Sequence, residues 1–427
     1  MNRRFPIAGL ALASIASRRT SALLTGCAVA LSVLLVLGVQ EMRQSARDSF
    51  ASTISGTDLL VGPRTSGVNL LLYAVFRIGQ PTNNLSWQSY QHFAAAPGVA
   101  WSIPLSLGDS YRGYSVVGTT DAYFRSFRYG GQRRLEFAAG QGFGDGPAAV
   151  LGAAAAETLG HRVGEEIILS HGLGGTSFLE HDSHPVRITG VLAPTGTVAD
   201  RAVYVPLATL EAVHESAVPS FAAPPGDAAA SSGDLSGPNG RSGPAEITAF
   251  LLGLESRIEV LRLQRRINEY AAEPLTAVIP AVALVELWSV VGVAENALLA
   301  VGVLAVLTGL VGMLVAILGT LNERRREMAI LRSVGARPAQ IFLLLMTEAG
   351  LLAAAGAMLG VLLKTLLLAA LRSPIQTRTG ILVENVLPGA ADAIVVIVVT
   401  IAGLALGALP AWQAYRNSLA DGMTIRL

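Results

Sequence analysis

The chain has 427 residues, of which 52% are hydrophobic and only 14% are charged. A soluble domain carries about 25% charged residues, so this composition indicates a membrane protein. The net charge of +1 offers no general attraction for nucleic acid, which is therefore not expected as a partner. The single cysteine, Cys27, cannot form an intrachain disulfide.

Four apolar runs are long enough to cross a membrane as helices, since such a helix needs roughly 20 apolar residues. They lie at 21–39, 297–321, 341–371 and 393–412, and only the third contains charged residues. The first run is longer than the apolar core of a secretory signal, which spans about 7–15 residues, so we predict an anchor there. The chain is therefore expected to contain four transmembrane helices.

The positions of the arginines predict the orientation, because cytoplasmic loops carry an excess of Lys and Arg. Arginines precede the first span, fill the loop 322–340 and follow the fourth span in the tail 413–427. The short loop 372–392 has only Arg372 and Arg378. We predict a multi-pass protein of the inner (plasma) membrane, with both termini and the loop 322–340 in the cytoplasm.

Residues 40–290, on the outer side, predict a large α+β domain between the first two spans. Val186, Ile188 and Gly190 alternate with polar residues, which is typical of a strand. Residues 216–245 are rich in Pro, Gly, Ser and Ala and predict a flexible insertion. The apolar residues 70–78 could line a groove or form core, and core is favoured. From residue 284 an apolar pattern continues into 291–321, which predicts one long helix comprising a stalk and the second span.

The loop after the second span, NERRREMAILRSVGARPAQIF, combines a dense basic patch with apolar residues. Met328, Leu331 and Val334 lie three residues apart, so they share one face of a predicted short helix from Glu323 to Gly335. Gly335 can end this helix, and Pro338 does not continue it easily. Two interpretations remain open: an anchor on lipid headgroups, or a helix that docks into a groove of a cytoplasmic partner.

Motifs for catalysis are not found in the sequence. It contains no G-x-x-x-x-G-K-[ST], so no ATP site of the P-loop type is predicted, and no catalytic or cofactor-binding residue is assigned. His181 and His184 are weak candidates for a metal site and are more typical of solvated surface residues. Glu348 and Lys364 lie in the third span about 24 Å apart along a helix, which excludes an ion pair between them.

The stretch ERRREMAILRSVGARPAQI resembles the signature loop of MacB/FtsX/LolC-type permeases of ABC transporters, also termed type VII. The matching positions are Glu323, Arg324, Glu327, Met328, Ala329, Leu331, Arg332, Gly335 and Ala336. The opening LALASIASRRTSALLT resembles the family's cytoplasmic interfacial helix, here within 1–20. The ending LPAWQAYRNSLADGMTIRL is also similar, with Pro410 closing the last span.

This resemblance implies a permease subunit that is not itself an enzyme and binds no cofactor directly. ATP and Mg would bind to a separate cytoplasmic ABC ATPase, and its motion would reach a MacB-like outer core domain through the stalk. The substrate to be exported or extracted would be lipophilic or periplasmic. A second permease copy, membrane lipid, and a periplasmic adaptor or substrate-binding protein are the other partners implied. The residues implied to contact the ATPase are Glu323, Arg324, Glu327, Met328, Leu331, Arg332, Val334 and Gly335.

Two other functions stay open at this point. An FtsX-like signalling regulator of an extracytoplasmic partner would share the four spans, but its outer domain is usually much smaller than 40–290. A membrane-anchored metal-binding or enzymatic protein would depend on the stretch EHDSH, which contains His181 and His184. Substrate-stimulated ATPase activity separates transport from signalling, and a neighbouring ATPase gene separates both from the metal-binding alternative.

Overall fold

The computed structural model of the chain describes residues 6–81, 83–144, 146–171, 185–217, 243–379 and 387–416. The chain divides into two compact units. The membrane unit contains the described residues of Met1–Ser45, Gly292–Arg372 and Val383–Leu427, and the large domain contains those of Ala46–Val291 and Ser373–Leu382. Most of the predicted insertion at 216–245 lies outside the described residues.

The described helices, in chain order, are α1 (Pro6–Ser17), α2 (Arg19–Thr53), α3 (Gly67–Ala74), α4 (Trp87–Ala94), α5 (Ala122–Ser126), α6 (Ala153–Leu159), α7 (Leu207–Ala217), α8 (Arg257–Asn268), α9 (Pro280–Ser333), α10 (Pro338–Thr379) and α11 (Ala390–Arg416). Four of them contain stretches long and apolar enough to cross a membrane, namely Arg19–Thr53, Pro280–Gly319, Pro338–Arg372 and Ala390–Trp412. These four helices agree with the four predicted spans.

Helix α9 differs from the sequence-based expectation at its end. It is one helix of 54 residues, so Glu323–Ser333 is the last part of α9 rather than a separate short helix. The reason is local: no proline follows Pro280 within α9, and Arg, Glu, Met and Leu are strong helix formers. Pro410 likewise lies inside a helix, since α11 continues to Arg416, but the candidate span within α11 ends at Trp412, close to Pro410 as expected. Membrane helices tolerate such prolines because neighbouring groups satisfy the freed carbonyl.

The described strands all belong to the large domain. They are β1 (Leu59–Pro63), β2 (Leu85–Ser86), β3 (Val99–Tyr111), β4 (Tyr114–Thr119), β5 (Arg128–Tyr129), β6 (Arg133–Arg134), β7 (Phe137–Gly140), β8 (Ala148–Leu151), β9 (Glu166–Ile167), β10 (Ser170–His171), β11 (Val186–Leu192), β12 (Ala202–Pro206), β13 (Glu246–Ile247), β14 (Ala249–Leu254) and β15 (Leu275–Val278).

The main sheet has 11 strands within the described residues, in the order β15-β1-β14-β3-β4-β12-β8-β11-β7, with β10 beside β3 and β9 beside β11. The pairs β4–β12 and β8–β11 are parallel, and the other pairs of this sheet are antiparallel. A mixed sheet with interspersed helices, placed between the first and second spans, confirms the predicted fold class of four membrane helices plus a large α+β domain.

The core of the large domain is formed by segments in which apolar and polar residues alternate and by segments that are continuously apolar. In β11 the side chains of Val186, Ile188 and Leu192 are buried, as the alternation predicts. Helix α3 starts at the N-cap Ser66, whose hydroxyl accepts a hydrogen bond from the N–H of Asn69. Within residues 70–78, Leu70, Leu71, Tyr73, Ala74, Val75 and Phe76 are buried in the core, which agrees with the favoured interpretation.

Small residues let the helices of the membrane unit approach closely, as is common in membranes. A Cβ added at Gly360 of α10 would lie 2.7 Å from the carbonyl oxygen of Ala30 in α2. A Cβ added at Gly403 of α11 would lie 2.4 Å from the Cβ of Ala353 in α10. The contacts between α2, α10 and α11 therefore depend on backbone-to-backbone proximity as well as on apolar side chains.

Candidate functional site

The first candidate site is the turn that joins α9 to α10. The N–H of Ala336 donates to the carbonyl of Leu331 at 2.9 Å, and the N–H of Gly335 donates to the carbonyl of Arg332 at 3.0 Å. Gly335 has φ of 104°, in the left-handed region that favours glycine. This combination is a Schellman cap, which satisfies the last carbonyls of α9.

Helix α10 is capped equally well at its start. The backbone N–H of Arg337 donates to Oε1 of Gln340 at 2.9 Å, so the third helical residue reaches back to the N-cap as in a capping box. Pro338 occupies the first helical position, where its missing N–H costs nothing. Both sides of the turn are therefore held by hydrogen bonds within this segment itself.

The apolar residues near this turn do not all face the same way. Met328 packs against the buried cluster of Ile341, Leu345 and Ala411, so it faces the helices of the membrane unit. Leu331 is half-buried. The exposed apolar side chains are Val334, 83% exposed, and Ile330, 56% exposed, which are neighbours on the helix at i and i+4.

The charged residues assigned to this site are only partly described. Glu327 is exposed, and its carboxylate lies 4.0 Å from the guanidinium of Arg18, at the junction of α1 and α2. Arg332 is half-buried. Glu323 and Arg324 belong to the helical backbone of α9, but their side chains lie outside the part that the structure describes.

A second candidate site is a buried charge cluster in the membrane unit. Nζ of Lys364 in α10 donates to both carboxylate oxygens of Asp392 in α11, at 2.8 and 2.9 Å. Oε2 of Glu41 in α2 lies 3.6 Å from the same nitrogen. The Lys364 side chain is 1% exposed, that of Asp392 7% and that of Glu41 21%. The cluster joins three membrane helices through one ammonium group.

Asp392 also organises the start of its own helix. Its Oδ2 accepts a hydrogen bond from the N–H of Gly389 at 2.8 Å, immediately before α11 begins. A carboxylate in the first turn interacts favourably with the positive end of the helix dipole. A second ion pair, Arg43–Glu295 at 2.7 Å, joins α2 to α9 with both side chains largely buried. Charged groups thus connect all four membrane-spanning helices.

His181 and His184, the weak candidates for a metal site, lie outside the described residues. Within the described ranges, no group of three or more His, Cys, Asp or Glu side chains is arranged to hold a metal ion.

Comparison with known protein families gives two matches. Residues 22–232 match the MacB-like periplasmic core domain, and residues 299–419 match the FtsX-like permease C-terminal domain. Together the two matches cover more than half of the chain. The chain belongs to the MacB/FtsX-type ABC transporter permeases.

Two solved structures are similar to part of this permease. The extracellular domain of the noncanonic ABC-type transporter YknZ from Gram-positive bacteria covers 52% of this chain and 99% of its own, with 13% identity and a TM-score of 0.31. The periplasmic region of MacB from Actinobacillus actinomycetemcomitans covers 54% of this chain and 92% of its own, with 11% identity and a TM-score of 0.33. No curated protein matches the chain.

The candidate sites of the permease fall within the two family matches. The capped turn, Lys364 and Asp392 fall within the FtsX-like match, whereas Glu41 falls within the MacB-like match. Permeases of this family are typically not enzymes and work with an ATPase on a partner subunit. The chain is thus the membrane component of a multi-pass ABC transporter.

Sequence reasoning missed two features of the permease. It identified Lys364 as a costly charge in a membrane span but not its partners, which are on other helices. The available signals in the sequence were two acidic residues next to predicted spans: Asp392, immediately before the fourth span, and Glu41, just after the first. Ile330 was also missing from the residues predicted to contact the ATPase. That helix face was chosen from residues three positions apart, and such spacing does not show which face the neighbouring helices cover.

Proposed function

We propose that this permease couples ATP hydrolysis on a separate cytoplasmic subunit to export or extraction of a lipophilic or periplasmic substrate. The coupling is mechanical: the ATPase moves the α9–α10 turn, and the movement reaches the large domain through α9. ATP and Mg bind to the partner subunit and not to this chain. The proposal also places the protein in the inner membrane, with both termini and the turn in the cytoplasm.

The observation that carries this proposal is the form of α9. The helix runs without interruption from Pro280 to Ser333, so it contains both residues of the large domain and the residues before the capped turn. A continuous helix transmits displacement along its axis because every residue is held by hydrogen bonds to its neighbours. A hinge along α9 would instead dissipate such a displacement.

Two further observations support the proposal. The segment before the turn leaves Ile330 and Val334 uncovered as an apolar pair, which fits the helix-in-groove mode of recognition. The ion pairs from Arg43 to Glu295 and from Lys364 to Asp392 resist relative sliding of the membrane helices. Contact with a second permease copy, with lipid and with a periplasmic adaptor or substrate-binding protein belongs to the same proposal.

The test introduces a charge at the exposed apolar pair. Val334→Asp places a carboxylate where the partner groove is proposed, at a cost on the order of several kcal/mol if that contact becomes dry. Ser333→Asp is the matched control, since it adds the same charge at a neighbouring exposed polar residue. Leu331→Asp is less informative alone, because Leu331 is half-buried and its replacement also perturbs packing.

The measurement is co-purification in mild detergent of the ATPase subunit that accompanies the wild-type chain, followed by ATPase activity after reconstitution. Val334→Asp should lose the ATPase or uncouple its activity at unchanged membrane abundance, whereas Ser333→Asp should retain most of both. Full retention by Val334→Asp would show that the turn is not the docking site, and the mechanical proposal would fail.

A further inference from the structure

Lys364 is the only lysine of the chain, which otherwise carries its permanent positive charges on arginine. Its side chain is 1% exposed, so the single lysine occupies a buried position in the membrane unit. An ammonium is a compact charge with three donors that rotate freely, whereas the guanidinium of arginine is a rigid planar fork. A lysine at this position can therefore exchange one acceptor for another without a change of its backbone.

The charge cluster around Lys364 has more acceptors than the ammonium uses. Two hydrogen bonds from Nζ go to the two carboxylate oxygens of Asp392, at 2.8 and 2.9 Å. Among the described residues, Nζ makes no third hydrogen bond, and Oε2 of Glu41 lies 3.6 Å from it. Hydrogen bonds between an ammonium and a carboxylate are about 2.7–2.9 Å long, so Glu41 lies less than about 1 Å beyond bonding distance.

Glu41 lies on the helix that connects this cluster to α9. Glu41 and Arg43 are two residues apart in α2, which places them roughly 200° apart around the helix. Arg43 forms its ion pair with Glu295 of α9 at 2.7 Å, and Glu41 approaches Lys364 of α10. Helix α2 is therefore bound to α9 by one charged side chain and approaches the lysine of α10 with another.

The polar contacts group the membrane helices into two pairs. Besides its ion pair with α9, α2 donates from Oγ of Ser32 to the carbonyl of Ala305 in α9 at 2.9 Å. Helices α10 and α11 are joined by the two hydrogen bonds of the lysine. Where α2 meets α10 at Gly360, small residues bring the backbones together, since an added Cβ would lie 2.7 Å from the carbonyl of Ala30. Packed helices can slide past one another by small shear movements, and here such sliding would move Glu41 relative to Lys364.

We propose that Lys364 is a positioning residue with two alternative partners. Asp392 is the partner in the present structure, and Glu41 becomes the partner when the ATPase displaces the pair α2–α9 along the pair α10–α11. The inference rests on the proposed function, because it needs the ATPase to move α9. In each state the ammonium stays paired with a carboxylate, so neither state leaves the buried lysine uncompensated. The exchange thereby defines two stable positions of the membrane helices.

The single lysine permits a direct test by solid-state NMR. Full-length permease with an isotope-labelled lysine side-chain nitrogen gives one such signal, because no other lysine is present. It is reconstituted with the unlabelled ATPase subunit that accompanies the wild-type chain. Dipolar couplings are measured from this nitrogen to labelled carboxyl carbons, of aspartate in one sample and of glutamate in another. We expect the stronger coupling to aspartate without nucleotide and to glutamate when the complex is trapped with ATP and vanadate.

Two variants should shift these couplings in opposite directions. Glu41→Gln removes the charge of the second partner, so the coupling to aspartate should persist in the trapped complex and ATPase activity should fall several-fold. Asp392→Asn weakens the first partner, so the coupling to glutamate should strengthen even without nucleotide. Glu286→Gln is the matched control, because it removes an exposed carboxylate of α9 and should leave both couplings at their wild-type values.

A fixed lysine and an exchanging lysine give different results. If the wild-type couplings are the same with and without nucleotide, or if Glu41→Gln responds to nucleotide as the wild type does, the exchange is overturned and Lys364 is a static ion pair. The docking of the ATPase is tested separately by Val334→Asp. Loss of the ATPase in that variant, together with unchanging couplings in the wild type, would refute the exchange alone and leave the proposed function standing.

Discussion

Replacement of Asp392 tests whether the buried charge cluster is formed in the membrane. Asp392→Ala removes both acceptors of the ammonium of Lys364, a side chain that is 1% exposed in the wild type, and leaves Glu41 at 3.6 Å as its counter-ion among the described residues. It also removes the hydrogen bond from the N–H of Gly389. Asp392→Asn is a milder change, because the amide oxygen can still accept that bond.

The expected magnitude follows from these contacts. Removing one partner of a buried ion pair costs about 3–5 kcal/mol, because the remaining charge stays buried and uncompensated. Loss of the bond to Gly389 adds about 1 kcal/mol in Asp392→Ala. Glu41→Gln should cost no more than about 1 kcal/mol, since Glu41 is more distant and partly exposed. The double variant Lys364→Met with Asp392→Asn removes both charges and should recover most of the loss.

The assay is equilibrium unfolding in mixed SDS and dodecylmaltoside micelles, followed by circular dichroism. Wild type, the single variants Lys364→Met and Asp392→Asn, and the double variant form a double-mutant cycle. We expect a coupling free energy of at least about 2 kcal/mol. A coupling below about 0.5 kcal/mol would show that the two side chains do not interact, and the reasoning about this cluster would be refuted.

Three further predictions concern packing, pH and the insertion. Gly360→Ala should destabilise the membrane unit by about 1–3 kcal/mol in the same unfolding assay, because the added Cβ would meet the carbonyl of Ala30. Gly312→Ala is the control and should not destabilise it, because the space around Gly312 is open. The hydrogen bond from His161 lowers the pKa of Glu165 in the folded protein. The ionised Glu165 therefore stabilises the folded state at pH values above its unfolded pKa of about 4.3, and this stabilisation is lost as the pH falls through the folded pKa. The melting temperature of Glu165→Gln should thus lie below wild type at pH 7 and approach it at low pH; a constant difference would contradict this. Deletion of 222–242 should leave expression and ATPase association intact, and a loss of either would show that the segment packs on the protein.

The spans and much of the large domain could be predicted because their signals are local. A run of 20 apolar residues or a strand with alternating polarity is visible in any short window of sequence. The burial of Val186 and Ile188 and the four membrane-spanning helices follow from such windows. The arginine-rich segment was also recognised, because its residue pattern is contiguous.

The features that could not be predicted from the sequence depend on contacts between distant parts of the chain. Lys364 and Asp392 are 28 residues apart and on different helices, so no periodicity relates them. The spacing of Met328 predicted an exposed position, but in the structure Met328 packs against Ile341 and Ala411. Helical spacing shows which residues share a face, but only tertiary packing decides whether that face meets a partner, lipid or another helix.

The hydrogen bonds that cap the α9–α10 turn have a consequence for the strength and speed of partner binding. A loop that becomes ordered only on binding loses conformational entropy, at a cost of about 1–2 kcal/mol for each residue fixed. Here the backbone of Val334–Arg337 is already fixed by the bonds to Leu331, Arg332 and Gln340. In the docking mode proposed above, most of the contact free energy at Ile330 and Val334 would therefore remain available for affinity. The ATPase subunit would then bind a small surface and dissociate within each ATP cycle without a folding step that would slow turnover.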